Sequence, residues 1–136
     1  MDKKHIYRYV YVCPRCFRRL RNCFCRACPE TLIQIDKNIL PTIQVLNEKG
    51  FVTECSCEGH IGESGALFIL FCLTYQFSHP LPDGFIGDGS IILSNISGNS
   101  EQEKRRDKRE KLARLYSWAS SLRPQQRTHD YSQFYD

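Results

Sequence analysis

Two short cysteine pairs constrain this chain more than any other feature. Cys13-Pro14-Arg15-Cys16 and Cys25-Arg26-Ala27-Cys28 are separated by eight residues. Each C-x-x-C turn gathers two thiolates on one side of a tight loop. Two such knuckles offer four soft ligands to one point, which is the tetrahedral preference of Zn²⁺. Residues 17–24 are the right length for a tight hairpin between them, so the spacing predicts a zinc ribbon. One structural zinc would be held by Cys13, Cys16, Cys25 and Cys28. Cys23 leaves the register open, because it can replace Cys25 as the third ligand. A closed four-thiolate site keeps no position for a substrate. Its role would be structural, with metal binding supplying the folding energy of a segment too short and polar to build its own core.

Five of the eight cysteines lie between Cys13 and Cys28. Even spreading would suit a secreted disulfide scaffold, whereas this clustering points to metal in an intracellular chain. Residues 1–12 mix charge with aromatics and lack the apolar core of a signal peptide. The longest apolar run, residues 66–73, is far short of the roughly 20 residues a membrane helix needs. The expectation is a cytoplasmic protein without a membrane partner, and nothing in the sequence fixes its oligomeric state. At 136 residues the chain has room for one real core and a small appendage. Its expected organisation is a zinc-ribbon module at 1–30, an α/β domain at 31–123, and a flexible or docking tail at 124–136.

The pattern after the knuckles predicts an α/β (α+β) fold, a small sheet covered by two helices. Residues 6–12 alternate as a strand should, and residues 31–36 read as a short strand or connector. Asp36 then caps a helix running to Gly50, with Ile39, Ile43 and Leu46 on its apolar face and Pro41 confined to the first turn. Residues 51–55 alternate as a half-buried strand, and residues 66–73 are apolar throughout, as a central strand would be. Two Pro and three Gly make residues 78–90 a loop, followed by a third strand of the same sheet at 91–93 that can begin as early as Phe85. Ser100 and Glu103 form a capping box that opens a second helix. Its expected buried stripe is Leu112, Leu115, Tyr116, Ala119 and Leu122, and Pro124 stops it. The tail can dock through Tyr131, Phe134 and Tyr135.

Charge is segregated along the chain. Residues 1–28 carry eight Lys/Arg against one Asp, residues 29–100 two against eight, and residues 101–136 nine against six. Two basic ends therefore flank an acidic middle. Arg18, Arg19 and Arg21 at one end, and Arg105 and Arg109 at the other, are candidates for a phosphate-binding footprint. Asp107 and Glu110, interspersed among the helix cations, also allow ordinary i,i+4 pairing on a solvated face.

Between the two central strands the sequence places Cys55, Ser56, Cys57, Glu58, Gly59 and His60 in a loop. Loops at a sheet edge are where small α/β domains usually bind ligands. Three uses compete for these residues. Cys55, Cys57 and His60, with Cys72 and His79, invite a second metal site, although their spacing is not a common one. Cys57 beside His60 suggests an activated thiol, but no third group is evident to orient the imidazole. Gly59, Gly62 and Gly65 free backbone N–H groups to turn inward, and His60 and Ser64 add donors, which suits an anion. The ligand-binding set on that reading is Ser56, Cys57, Gly59, His60 and Ser64.

Two resemblances attach to these residues. The stretch from Ile39 through Leu46-Asn47-Glu48-Lys49-Gly50-Phe51, followed by Ser56-Cys57-Glu58-Gly59-His60, resembles a family of small uncharacterised proteins of Gram-positive bacteria and their phages. In that family a zinc knuckle precedes a helix, a Ser-Cys-x-Gly-His loop and an apolar strand. The Ser-Cys-x-Gly core is also similar to a motif of the tRNA wybutosine-synthesis methyltransferase family, which implies an active-site loop containing Ser56, Cys57 and Gly59. Glu58 and His60 replace the serine and arginine of that motif. The leading expectation is a small zinc-binding protein that binds a nucleotide or RNA without turnover. One alternative is an S-adenosylmethionine-dependent tRNA-modifying enzyme. The other is a phage-type accessory protein that inhibits a host defence factor by direct contact.

Overall fold

The computed structural model describes residues 9–13, 15–17, 19, 24–25, 30–62 and 65–127. Cys28, expected as a zinc ligand, and Cys23, Arg18, Arg21, Ser64 and the tail aromatics lie outside the described residues. The elements in order are β1 (Tyr9–Val12), β2 (Phe24–Cys25), β3 (Glu30–Thr31), β4 (Ile33–Asp36), α1 (Leu40–Glu48), β5 (Thr53–Glu58), β6 (Ala66–Phe71), β7 (Ile86–Gly87), β8 (Ile91–Asn95) and α2 (Glu101–Ser121). Among them β1 pairs with β4, β2 with β3, and the remaining four strands form an antiparallel sheet in the order β5-β6-β8-β7. The chain is thus a mixed α+β protein.

Burial alternates along β6 in spite of its uniformly apolar sequence. Leu67, Ile69 and Phe71 are buried, with Ile92 of neighbouring β8, while Ala66, Phe68 and Leu70 face the other way and are half-buried. The buried face packs on both helices, through Leu40, Ile43 and Leu46 of α1 and Leu115, Trp118 and Ala119 of α2. Val12 and Phe17 join the same core, as do Ile35 and Ile39. The N-terminal segment is therefore stitched to the sheet domain twice, by the β1–β4 ladder and by shared apolar contacts.

Three of the four helix ends have an identifiable capping partner. Gly50 takes φ +96°, the Gly50 N–H donates to the Asn47 carbonyl and the Phe51 N–H to the Leu46 carbonyl. These paired bonds are the Schellman ending that a C′ glycine permits. Ser100 caps α2 by accepting from the Glu103 N–H at 3.1 Å, while the Glu103 carboxylate reaches the Asn99 N–H rather than that of Ser100. At the C-terminus of α2, Lys49 Nζ donates to the Ser120 and Leu122 carbonyls. The exception is the start of α1. Ile39 occupies the N-cap with no side-chain bond, so Asp36 does not cap this helix. Two further expectations need correcting. Tyr116 is 45% exposed and Trp118 takes its place in the buried stripe, and β7 interrupts the long loop before β8. Among the described residues no helix is long and apolar enough to cross a membrane.

Candidate functional site

Strand β5 runs to Glu58, three residues past the expected strand, so Ser56, Cys57 and Glu58 are ladder residues rather than loop residues. Ladder pairing sets their faces. Ser56 lies opposite Ile69 and Glu58 opposite Leu67, whereas Cys57 lies opposite Phe68 on the other face. Past Glu58 the chain turns at Gly59, whose φ is +86°; a Cβ there would stand 2.3 Å from Ile96 Cδ1. That turn brings His60 back over the end of β4. Its Nε2 lies 3.3 Å from Asp36 Oδ2, and the same oxygen accepts the Glu58 N–H at 3.1 Å. Cys57 completes the group. One donor atom each from Asp36, Cys57 and His60 lie within 4.8 Å of one another, an arrangement that could hold a metal ion.

The electrostatics of this group favour a cation. Burial pushes the Cys57 thiol up; the Gly59 N–H, 3.4 Å from the sulfur, pulls it down, but Asp36 and Glu58 push it further up. The balance keeps it a thiol. An unaided nucleophile needs the opposite environment, an electropositive one. Asp36 is nonetheless the orienting group for His60 that the sequence did not reveal. Cys55 is exposed, and neither it nor Cys72 nor His79 belongs to a metal-type group among the described residues.

Around the corner from this group, between loop 59–62 and α2, lies a cavity of about 470 Å³. Asn38, Ile61, Glu101, Arg105, Lys108, Arg109 and Leu112 line it. Three of those residues, Arg105, Lys108 and Arg109, are cations lying within about one turn of α2. Arg105 pairs with Glu101 at 2.6 Å, and Lys108 pairs with Glu58 at 2.6 Å. The Glu58 carboxylate is also held by the backbone and side-chain N–H groups of Asn38, at 2.9 and 2.8 Å. Arg109 has no ion-pair partner among the described residues. Asp36 and Asn38 thus serve the two sites from one turn, as do His60 and Ile61 from the next.

Of the sequence-derived ligand set, Cys57 and His60 come together, with Gly59 as the hinge between them. Ser56 stands on the opposite face of the strand, and the loop reaches the cavity through Ile61. Arg105 and Arg109 share the cavity wall, while Arg19 is exposed beside β1, in an isolated bridge with Val12. Of the cysteines expected to hold zinc, Cys13 and Cys16 flank a turn in which the Cys13 sulfur accepts the Arg15 and Cys16 N–H groups at 3.4 and 3.5 Å, and Cys25 sits on β2. Comparison with protein-family models, curated proteins and solved structures found no match.

Proposed function

We propose that this chain is a zinc-ribbon protein that binds a phosphate-bearing ligand, nucleotide or RNA, in the cavity between loop 59–62 and α2, without turning it over. The observation that carries the reading is the concentration of Arg105, Lys108 and Arg109 around one concave space of about 470 Å³. A volume of that order suits a nucleotide-sized group. Arg109 brings a guanidinium not already committed to an acidic partner among the described residues, and guanidinium groups suit phosphate bidentately. The finer assignment of one structural zinc to Cys13, Cys16, Cys25 and Cys28 draws support from the amide-to-sulfur bonds at Cys13, which orient a thiolate ligand.

Titration of nucleotides and short RNAs at two salt concentrations tests the binding reading. Affinity for RNA falls as salt rises, with a slope reduced by about 0.7–0.9 for each phosphate contact removed. Arg109→Glu together with Arg105→Glu weakens binding by roughly 1.5–3 kcal/mol per lost charge-assisted bond. Binding that is absent at low salt, or indifferent to both substitutions, removes the cavity as the site. Methyl transfer to tRNA by the purified protein would replace this reading with the enzymatic one.

A further inference from the structure

We infer that Asp36, Cys57 and His60 form a second zinc site, distinct from the ribbon, with three protein ligands and one position left for water or a ligand oxygen. The site rests on its own geometry and is independent of the cavity. A tetrahedral Zn²⁺ holds nitrogen and oxygen ligands at about 2.0–2.1 Å, which sets the edge between two of them at about 3.3–3.4 Å. The His60 Nε2 to Asp36 Oδ2 distance is 3.3 Å. That edge of the tetrahedron already exists. A sulfur at about 2.3 Å from the same ion would sit about 3.6 Å from each of the other two ligand atoms. Cys57 Sγ is within 4.8 Å of both, so a small closing movement of one side chain completes three corners.

The surroundings do what the surroundings of a metal site do. The Asp36 oxygen facing His60 is fixed by the Glu58 N–H at 3.1 Å, and the Cys57 sulfur is met by the Gly59 N–H at 3.4 Å. Outer hydrogen bonds of this kind hold ligands in orientation and raise affinity. The side chains of His60 and Asp36 are only 17% and 11% exposed, so two of the three ligands are held by packing before any ion arrives. The donor set of one thiolate, one imidazole and one carboxylate suits zinc better than the hard cations, which take oxygen ligands. Four-ligand zinc sites are closed, whereas three-ligand sites keep a reactive position. The ribbon and this group therefore differ in kind: one would hold structure, the other would face chemistry or a ligand.

Residue-resolved alkylation of the full chain, with zinc as the only added ligand, tests the site. Iodoacetamide labelling is read by peptide mass spectrometry after chelator treatment and again after zinc is restored. Zinc is expected to slow Cys57 labelling at least about tenfold, because a metal-bound thiolate is no longer a free nucleophile. Cys55, exposed two residues away, labels equally in both conditions and serves as the internal control. His60→Ala raises the zinc concentration needed to protect Cys57 by more than the ~10–100-fold that loss of an outer partner costs. His60→Cys, which keeps a ligand, restores protection. Asp36→Asn gives the same reading through a second ligand should His60→Ala fail to fold. Cys13 and Cys16 report the ribbon in the same spectra, so the two zinc assignments succeed or fail separately. Cys57 labelling that is unchanged by zinc overturns the site, as does protection that survives loss of either ligand.

Discussion

At the scale of single residues, Asp36 does the work that no local pattern announces. It ends β4, accepts the Glu58 amide, and faces both His60 and Cys57. Its field is one of the causes, after burial, that hold the Cys57 thiol above its ordinary value of 9.0. The sign follows directly. A thiol whose folded-state value is raised contributes stability that is present below 9.0 and lost as pH climbs through the folded-state value, because the unfolded chain ionises first. Asp36→Asn removes the charge but keeps an acceptor for the Glu58 N–H. In chelator at pH 8 it should speed Cys57 alkylation, since removing the Asp36 charge takes away one of the causes that raise the thiol and so increases the thiolate fraction. Slower labelling in that variant would mean that Asp36 does not face the sulfur. The sequence holds all three residues of the group but separates Asp36 from His60 by more than twenty positions. An aspartate just ahead of a helix reads as a cap, and only the β4–β5 contact turns it into a site residue.

At the scale of elements, legibility tracks how local the cause is. Gly50 and Ser100 set their helix ends through bonds within one turn, and both are readable as such. The extension of β5 through Ser56-Cys57-Glu58 comes from pairing with β6, a non-local cause, so these polar residues read as loop. In α2 the buried stripe is Lys111, Leu115, Trp118, Ala119 and Leu122, a regular helical face broken only by the identity of its first member. Lys111 can be buried because its ammonium group has two oxygen partners within reach of its stem. Its Nζ donates to the Asn95 carbonyl at 2.6 Å and pairs with Asp107, which in turn accepts the Ser97 N–H. Lys108, one turn earlier, crosses to Glu58 instead. The basic first half of α2 is therefore partly a clamp onto the sheet, and only partly a solvated face. That clamp is asymmetric. Glu58 retains two Asn38 donors if Lys108 is lost, whereas Lys108 has Glu58 alone among the described residues. Glu58→Ala should cost about 1–3 kcal/mol by denaturant titration, as unpairing a partly buried charge does, and Lys108→Met under about 1 kcal/mol. The reverse order would show that the lysine, not the carboxylate, is the anchored partner.

At the scale of the whole molecule, the question is whether the knuckle segment folds as an appendage or as part of the core. A chain whose first 30 residues are basic and cysteine-rich invites the first answer. Among its described residues, the contacts tie its first part into the core. Val12 and Phe17 are buried in one cluster with Ile35 and Ile39, and β1 pairs along all four residues with β4, whose last residue is Asp36. The far end is tied in as well. The Gln125 N–H donates to the Lys49 carbonyl at 2.8 Å, so the described start of the tail packs where α1 ends. Cooperative units are bounded where few contacts cross, and none of these junctions is such a boundary. Metal bound at the proposed ribbon should therefore stabilise the whole chain through mass action, by about 2.7 kcal/mol when free zinc is 100 times its dissociation constant. For a chain of this length that corresponds to a Tm change on the order of 5–10 °C. Thermal melts followed both by tryptophan fluorescence and by circular dichroism should show one coincident transition that moves down in chelator. Trp118 is buried against Phe77, at a ring separation of 4.9 Å and far along the chain from the knuckle, so its signal reports the sheet core rather than the ribbon. Cys13→Ser should reproduce the shift without added chelator. A Trp118 transition that stays put while an earlier, separate one appears would make the ribbon an independent module, and the β1–β4 ladder too weak to couple the two.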